Sequence, residues 1–328
     1  MLVVGPNGAG KTNLLESLHV GTQGFSPRTR ADSQLIRFGE RSGRVVLNGD
    51  RGGSRLALEV TVELGQGKRA KLNGAQLRAA EQLRSEVATL VFTPDRLAVV
   101  KGGPAVRRAY FDRALGRLAP ARALLPTEYA ATLAQRNAAL RRVAAGFSSR
   151  EALEPWTDQV VTLGRHLVEA RNETIALLAP GFAELAAELG LPAARMTYDG
   201  EPPTVEAIEA RLARDLERGA TGLGPHLDDI VLASGARDLR SFGSQGEQRL
   251  TVLALLLAEA ELVRERRGFP PLLLLDDVLS ELDPVRRRVL AERVRDAGQT
   301  LVTATQASSL PVTPAQLLEV SPGLVRAA

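Results

Sequence analysis

The segment Gly5-Pro6-Asn7-Gly8-Ala9-Gly10-Lys11-Thr12 fits the pattern G-x-x-x-x-G-K-[ST] at every fixed position, almost at the start of the chain. No other feature constrains the fold as much, because such a loop works only between a buried strand and a helix that begins at once. The flanks agree. Leu2-Val3-Val4 reads as a strand end and Asn13-Leu14-Leu15-Glu16-Ser17-Leu18 as a helix. Glycines let the backbone wrap so that N–H groups converge on phosphate oxygens, and the helix N-terminus adds partial positive charge. In this reading Gly5, Asn7, Gly8, Ala9, Gly10 and Asn13 line a nucleotide, Lys11 reaches the β- and γ-phosphates, and Thr12 holds Mg²⁺. A glycine-rich turn before an ordinary helix would look the same here, so distant partners decide.

Those partners exist. Leu272-Leu273-Leu274-Leu275-Asp276-Asp277 is a buried strand that delivers two carboxylates at its C-terminal end, where open α/β sheets place ligands. Asp276 suits the Mg²⁺ shell, and Asp277 suits a general base that positions the attacking water. Two acids closing a turn would be the plainer account. Ser244-Gln245-Gly246-Glu247-Gln248 sets a serine and a glycine at a second helix start, a second phosphate cradle with Ser244, Gly246 and Gln248 as its candidates. One γ-phosphate clamped between the first cradle of one copy and the second cradle of another would build an isologous dimer. An N-cap serine is the alternative. Ser280-Glu281-Leu282-Asp283 offers an acidic pair, with Asp283 a candidate for the partner's nucleotide across that seam. A capped turn with Pro284 opening the next helix is compatible with this.

Composition excludes some chemistry. The 328 residues contain no cysteine, which rules out disulfides, thiolate zinc sites and thiol catalysis. Neither a leader nor a bilayer-length apolar run is visible, so a soluble, cytoplasmic protein without membrane attachment is expected. The formal net charge is +4, and Lys11, Lys68, Lys71 and Lys101 are the only lysines. Arginine suits a phosphate backbone, although GC-rich coding would produce the same bias.

Three regions are predicted. Residues 1–103 form an ATPase lobe with the phosphate loop and a β-meander, its short runs at 45–47, 56–64 and 69–72 punctuated by Gly52-Gly53 and Asn73-Gly74. Residues 104–221 switch to helical periodicity, with stripes at Tyr129, Leu133, Leu140 and Val143, at Trp156, Val160, Leu163 and Leu167, and at Val205, Ile208, Leu212 and Leu216 ending on Gly219. Residues 222–328 return to α/β character. The fold class is therefore α/β, a P-loop ATPase head with an antiparallel β-rich lobe and an inserted helical lobe.

The ordered set of phosphate loop, Ser244-Gln245-Gly246-Glu247-Gln248, Leu274-Leu275-Asp276-Asp277 and Ser280-Glu281-Leu282-Asp283 resembles the ABC-type ATPase heads of the SMC class. Within that class the chain is similar to the RecF family. Thr93-Pro94-Asp95-Arg96-Leu97, Lys101-Gly102-Gly103-Pro104, Gln135-Arg136-Asn137-Ala138 and Gly224-Pro225-His226-Leu227-Asp228-Asp229 carry the likeness, which spans nearly the whole chain. The resemblance implies ATP and Mg²⁺ as cofactors, an ATP-dependent homodimer, sequence-independent binding of double-stranded DNA, and work with RecR and RecO to help load RecA at gaps. It implies slow hydrolysis that times dimer dissociation, and a switch residue at Thr303 or Thr305, with Thr305 taken as the catalytic candidate.

Three departures stand out. The family has two strands ahead of the phosphate loop, so the expectation is either a mis-assigned start or, if the start is true, a bare apolar sheet edge. Leu227 replaces the arginine of His-Arg-Asp-Asp, so that arginine's contact does not carry over. Gly102-Gly103-Pro104 is a minor change. Arg28, Arg30, Lys68, Arg69 and Lys71 are the favoured DNA contacts, because they lie in the strand-rich lobe; the Arg107-Arg108 pair is a lesser candidate. Few aromatics are available, which argues against base stacking. His19 and His166 read as packing and surface residues, and His226 as a turn anchor. A transporter ATPase would lack the helical insertion, a zinc-hook head would need cysteines, and an ATP-binding scaffold without turnover stays open.

Overall fold

Leu2–Val4 is buried on both faces because it lies in the middle of a sheet, paired in parallel with Thr300–Ala304 on one side and Leu317–Ser321 on the other. In chain order the strands are β1 (Leu2–Val4), β2 (Ser42–Arg51), β3 (Ser54–Glu63), β4 (Gly67–Leu72), β5 (Ala75–Gln76), β6 (Thr89–Phe92), β7 (Ala194–Asp199), β8 (Asp229–Ser234), β9 (Arg237–Asp238), β10 (Leu272–Leu275), β11 (Thr300–Ala304), β12 (Leu317–Ser321) and β13 (Leu324–Ala327). The principal helices are α1 (Lys11–Gln23), α2 (Pro104–Leu118), α3 (Leu125–Ala144), α4 (Glu154–Glu188), α5 (Gln245–Arg267) and α6 (Pro284–Asp296). This computed structural model describes every residue except Arg30, and every other side chain except those of Glu81 and Asp296.

The chain divides into two compact units. Unit 1 holds residues 1–97, 188–190 and 249–328; unit 2 holds 98–187 and 191–248. Unit 1 contains a six-stranded sheet of order β13-β12-β1-β11-β10-β6, parallel except for β13. Its central strands read as unbroken apolar runs because both faces are covered. A second, antiparallel sheet has the order β2-β3-β4-β5. Gly52-Gly53 and Asn73-Gly74 close two of its hairpins with positive φ at both turn residues, as a type I′ turn demands. Leu58, Val60 and Ala70 face inward on Val20, Ala80 and Leu83. Gly21 lets α1 press on this sheet, since a Cβ there would come within 2.5 Å of Leu47.

β1 is paired on both sides, so the expected bare edge is not there; β13 and β6 are the edges of the six-stranded sheet, and β2 and β5 those of the four-stranded one. Beside β2 lies an apolar cleft of about 550 Å³ lined by Met1, Leu18, Leu47, Leu56, Phe269 and Leu318.

Unit 2 contains α2, α3, α4 and a three-stranded antiparallel sheet, β7-β8-β9. β7 was not expected. It alternates buried Ala194 and Met196 with exposed Arg195 and Thr197, and it draws β8 into this unit through six paired positions. The chain passes between the compact units at 97/98, 187/188, 190/191 and, within α5, 248/249, against boundaries of 103/104 and 221/222 expected from sequence. The third helical stripe is broken into Val205–Glu209 and Leu212–Arg218, with Gly219 capping at φ 62°.

Buried ion pairs fix unit 2 internally. Arg136, 1 % exposed, donates to Asp215, Thr157 and Thr221. Arg107 holds Asp229 with two hydrogen bonds of 2.7 and 2.6 Å, and Arg171 holds Asp112 with two of 2.8 and 2.9 Å. Arg107 is thus internal, and the Arg107-Arg108 pair does not offer a free phosphate-binding patch: Arg108 donates to the Asp228 carbonyl. His226 lies between the Tyr129 hydroxyl at 2.8 Å and the Thr221 carbonyl at 3.0 Å, a turn anchor as expected. His19 packs edge-on against Phe25, and His166 is exposed.

Candidate nucleotide-binding site

α1 starts without a cap. Its N-cap is Gly10, at φ 106°, which has no side chain to accept from the first-turn N–H groups, and no acidic residue occupies that turn. The orphan donors of a helix start are normally met by a capping side chain. Here the Lys11, Thr12 and Asn13 amides stay open beside the loop. Gly8, at φ 81°, adopts a conformation that an L side chain rarely takes, and Gly5 packs so closely that a Cβ would meet the Val320 carbonyl at 2.4 Å. The Lys11 ammonium donates to the Gly5 and Pro6 carbonyls at 2.7 and 3.0 Å, which places its charge inside the loop.

The two halves of the motif meet through hydroxyls. Thr12 Oγ1 donates to Asp276 Oδ2 at 2.8 Å, and Thr303 Oγ1 donates to Asp276 Oδ1 at 2.8 Å. The Asp277 N–H donates to Thr303 Oγ1, again at 2.8 Å. A chain of three bonds therefore ties α1, the end of β10 and β11 together. Asp276 is buried, whereas the Asp277 carboxylate is exposed and makes no side-chain hydrogen bond among the described residues. Asp277 sits at φ 49°, a costly value for a non-glycine residue. Its carbonyl is pinned by Arg249 at 2.8 Å and Ser280 at 3.1 Å. Arg249, 3 % exposed, also pairs with Glu281 and stacks on Phe92.

This donor set fits a magnesium nucleotide. It combines open amides, one ammonium, one hydroxyl and a buried carboxylate with an adjacent unpartnered one. Thr12 and Asp276 are the residues that would hold the metal, and the loop amides with Lys11 would hold the phosphates.

Of the two switch candidates, only Thr303 is hydrogen-bonded to the aspartates among the described residues. Thr305 lies past β11, exposed, and no hydrogen bond links it to either aspartate. Thr303 is fully buried and orients both.

In unit 2, Ser244 and Glu247 form a capping box: the Ser244 N–H donates to Glu247 Oε2 at 2.8 Å, and the Glu247 N–H donates to Ser244 Oγ at 3.2 Å. The Ser244 N–H holds the Glu247 carboxyl below its ordinary range, helped by Arg237. Gln248 bonds within its own turn. It is buried, and its amide N–H₂ donates to the Leu239 and Gly243 carbonyls at 3.0 Å each, securing the turn that carries Ser244. Gly246 lies in the first turn of α5, where a Cβ would sit 3.9 Å from Ser244 Oγ, an ordinary contact. In unit 1, Asp283 is the N-cap of α6, accepting from the Arg286 N–H at 2.9 Å, which holds its carboxyl below the usual range.

The expected DNA contacts are mostly spoken for. Lys68 pairs with Asp32, Arg69 with Glu63 and Lys71 with Glu59. Arg28 pairs with Glu16 and reaches Asn13 at 3.5 Å, so it borders the phosphate loop. Arg30 lies outside the described residues. Among those residues no helix is long and apolar enough to cross a membrane.

Comparison with known proteins agrees with this geometry. The RecF/RecN/SMC N-terminal domain family matches residues 1–322. The DNA replication and repair protein RecF of Heliobacterium modesticaldum is 36% identical over 318 residues, 93% of this chain and 86% of the relative. That of Anaeromyxobacter dehalogenans strain 2CP-1 is 41% identical over 310 residues, 88% and 81%. A solved structure of the recombination mediator RecF with ATP, in the RecFOR pathway, superposes with a TM-score of 0.88 at 26% identity, covering 100% of this chain and 91% of that one. An Smc head bound to the C-terminal winged-helix domain of ScpA shares the fold, with a TM-score of 0.58 at 16% identity, covering 100% and 88%.

Proposed function

This chain belongs to the RecF family of DNA replication and repair proteins, and from that premise we propose that it is an ATP-switched mediator that dimerises around nucleotide and binds double-stranded DNA. The observation that carries the reading is the bond chain Thr12–Asp276–Thr303–Asp277, which joins phosphate loop and carboxylate pair into one site. The open amides of the loop and α1 bind phosphate oxygens, and Lys11 exchanges its carbonyl partners for them. Bound Mg²⁺-ATP supplies a γ-phosphoryl group whose presence separates the two states of the switch. Asp276 and Thr12 would hold the metal, while the unpartnered Asp277 carboxylate would take the proton of the water that attacks the γ-phosphate. Its backbone, pinned from both sides, keeps that carboxylate placed, and Thr303 acts as the positioning residue. Ser244 of a second copy completes the phosphate shell.

ATP hydrolysis in this reading is weak and resets the dimer. The relatives' RecFOR pathway motivates RecR and RecO as partners and RecA loading at gaps as the outcome. The test is retention of a duplex DNA by the purified chain with Mg²⁺ and a non-hydrolysable ATP analogue, followed by sedimentation. A nucleotide-dependent dimer that retains duplex is expected. A monomer that ignores duplex under both conditions overturns the reading.

A further inference from the structure

Phe38 is fully exposed, and no packing in the fold accounts for it. It stands at the tip of a tight turn: the Glu40 N–H donates to the Arg37 carbonyl at 3.0 Å, and Gly39 has φ 87°. A positive φ at the third position is what a type II turn requires, so the backbone holds the ring outward. The base of the turn is firm. The Leu64 N–H donates to the Arg41 carbonyl at 3.0 Å, Leu35 packs on the inner face of the antiparallel sheet, and Lys68 pairs with Asp32 at 3.3 Å. Arg37 and Arg41 flank the ring, both exposed, and neither makes an ion pair or side-chain hydrogen bond among the described residues. That sets them apart from Arg28, Lys68, Arg69 and Lys71, each matched to a carboxylate.

We propose that the 37–41 turn is a nucleic-acid contact in which Phe38 stacks on the face of an unpaired or terminal base while Arg37 and Arg41 hold the adjoining phosphates. This rests on the duplex-binding reading above and adds a mode and residues to it. An apolar protein surface that covered the ring would bury two unmatched guanidinium groups, which is costly. Nucleic acid offers an aromatic face with phosphates on either side, which matches this arrangement of charge. Glu40, the carboxylate of the turn, confines phosphate contacts to the two arginines. Base faces inside a continuous duplex are covered by their neighbours, so the ring needs a gap or an end.

The test uses the full chain with Mg²⁺ and a non-hydrolysable ATP analogue on two labelled DNAs of equal length, one continuous and one with a single-stranded gap. Phe38→Ala is expected to weaken gapped-DNA binding by about tenfold and to leave continuous duplex within about twofold, the range stacking of one base provides. Phe38→Trp is expected to retain gapped-DNA binding. Arg37→Ala and Arg41→Ala are expected to weaken both DNAs and to reduce the salt slope by about one each. Equal affinities of Phe38→Ala and the unsubstituted chain on gapped DNA overturn the proposal. So does an equal loss on both DNAs, or a change confined to dimer sedimentation, which would mark a contact between copies. If the unsubstituted chain retains neither DNA, the duplex reading falls and this one with it; if it retains duplex while Phe38→Ala behaves identically, only this one falls.

Discussion

The chain carries two helix starts suited to phosphate, and they are built differently. α1 begins on a bare glycine with its amides open and a lysine folded into the loop. α5 begins on Ser244 with its own serine–glutamate box already closed. The first site is preorganised, and an anion entering it displaces nothing but Lys11's two carbonyl contacts. The second is self-satisfied, and an anion there competes with Glu247 for the same donors. Nucleotide is therefore expected to load on one copy before the serine turn of another engages. An uncapped start costs stability that only a ligand returns, whereas a capped start is stable alone and yields only to a partner.

Substitutions can break or sharpen this contrast. Asp277→Asn leaves both helix starts intact and removes the unpartnered carboxylate; hydrolysis is expected to fall by about a hundredfold to ten-thousandfold, the usual worth of a positioned base, while the ATP dimer on DNA persists, as steady-state turnover and sedimentation would read. Lys11→Met removes the charge inside the open start. Losing charge-assisted hydrogen bonds of about 1.5–3 kcal/mol each is expected to weaken ATP by roughly tenfold to a hundredfold or more, measured by calorimetry. Ser244→Arg at the closed start is expected to abolish nucleotide-dependent dimerisation while ATP affinity stays within about twofold, since Ser244 and Glu247 bond each other; an intact dimer in sedimentation would contradict the division of labour.

A smaller effect should come from pH. Burial holds His226 below its ordinary value, with Arg108 adding to this against the Thr221 carbonyl, Asp228 and Asp215. The Thr221 carbonyl can only accept, so Nε2 carries the proton and Nδ1 accepts from Tyr129. A second proton breaks that arrangement. Because the folded pKa lies below the unfolded one, the contribution is complete above about pH 6.5 and is lost as pH falls beneath it. Burial shifts Asp228 in the opposite sense, raising its pKa, so the comparison needs His226→Gln. Thermal melts of the two proteins are expected to converge between pH 7 and pH 5.5.

Much of this was legible because the chemistry is local. The phosphate loop, the Leu272–Leu275 strand and the Asn73-Gly74 hairpin each carry their determinants within a few residues. The N-cap alternative for Ser244 was readable too, but its reciprocal partner Glu247 was not picked out. What failed to show depended on packing. β7 looks like helical remainder until Ala193, at φ 53°, breaks the chain and β8 pairs with it. Thr303 and Thr305 are indistinguishable as letters; only the fold shows Thr303 buried against Asp276 and Thr305 exposed. Of the five cations marked as DNA contacts, Arg69 and Lys71 turn out to be matched to Glu63 and Glu59, which come beside them only once β3 and β4 pair, and Arg28 and Lys68 to Glu16 and Asp32. Conversely, a single phenylalanine in a chain poor in aromatics gives no pattern, and only its exposure draws notice.

The cleft beside β2 has a practical consequence for the bench. Its leucine and phenylalanine walls are of the kind that solvatochromic dyes fill, so a dye-reported melting curve should begin bright in the native protein and dim before it climbs. Intrinsic emission from Trp156, which is not among the residues lining the cleft, would record unfolding without that artefact.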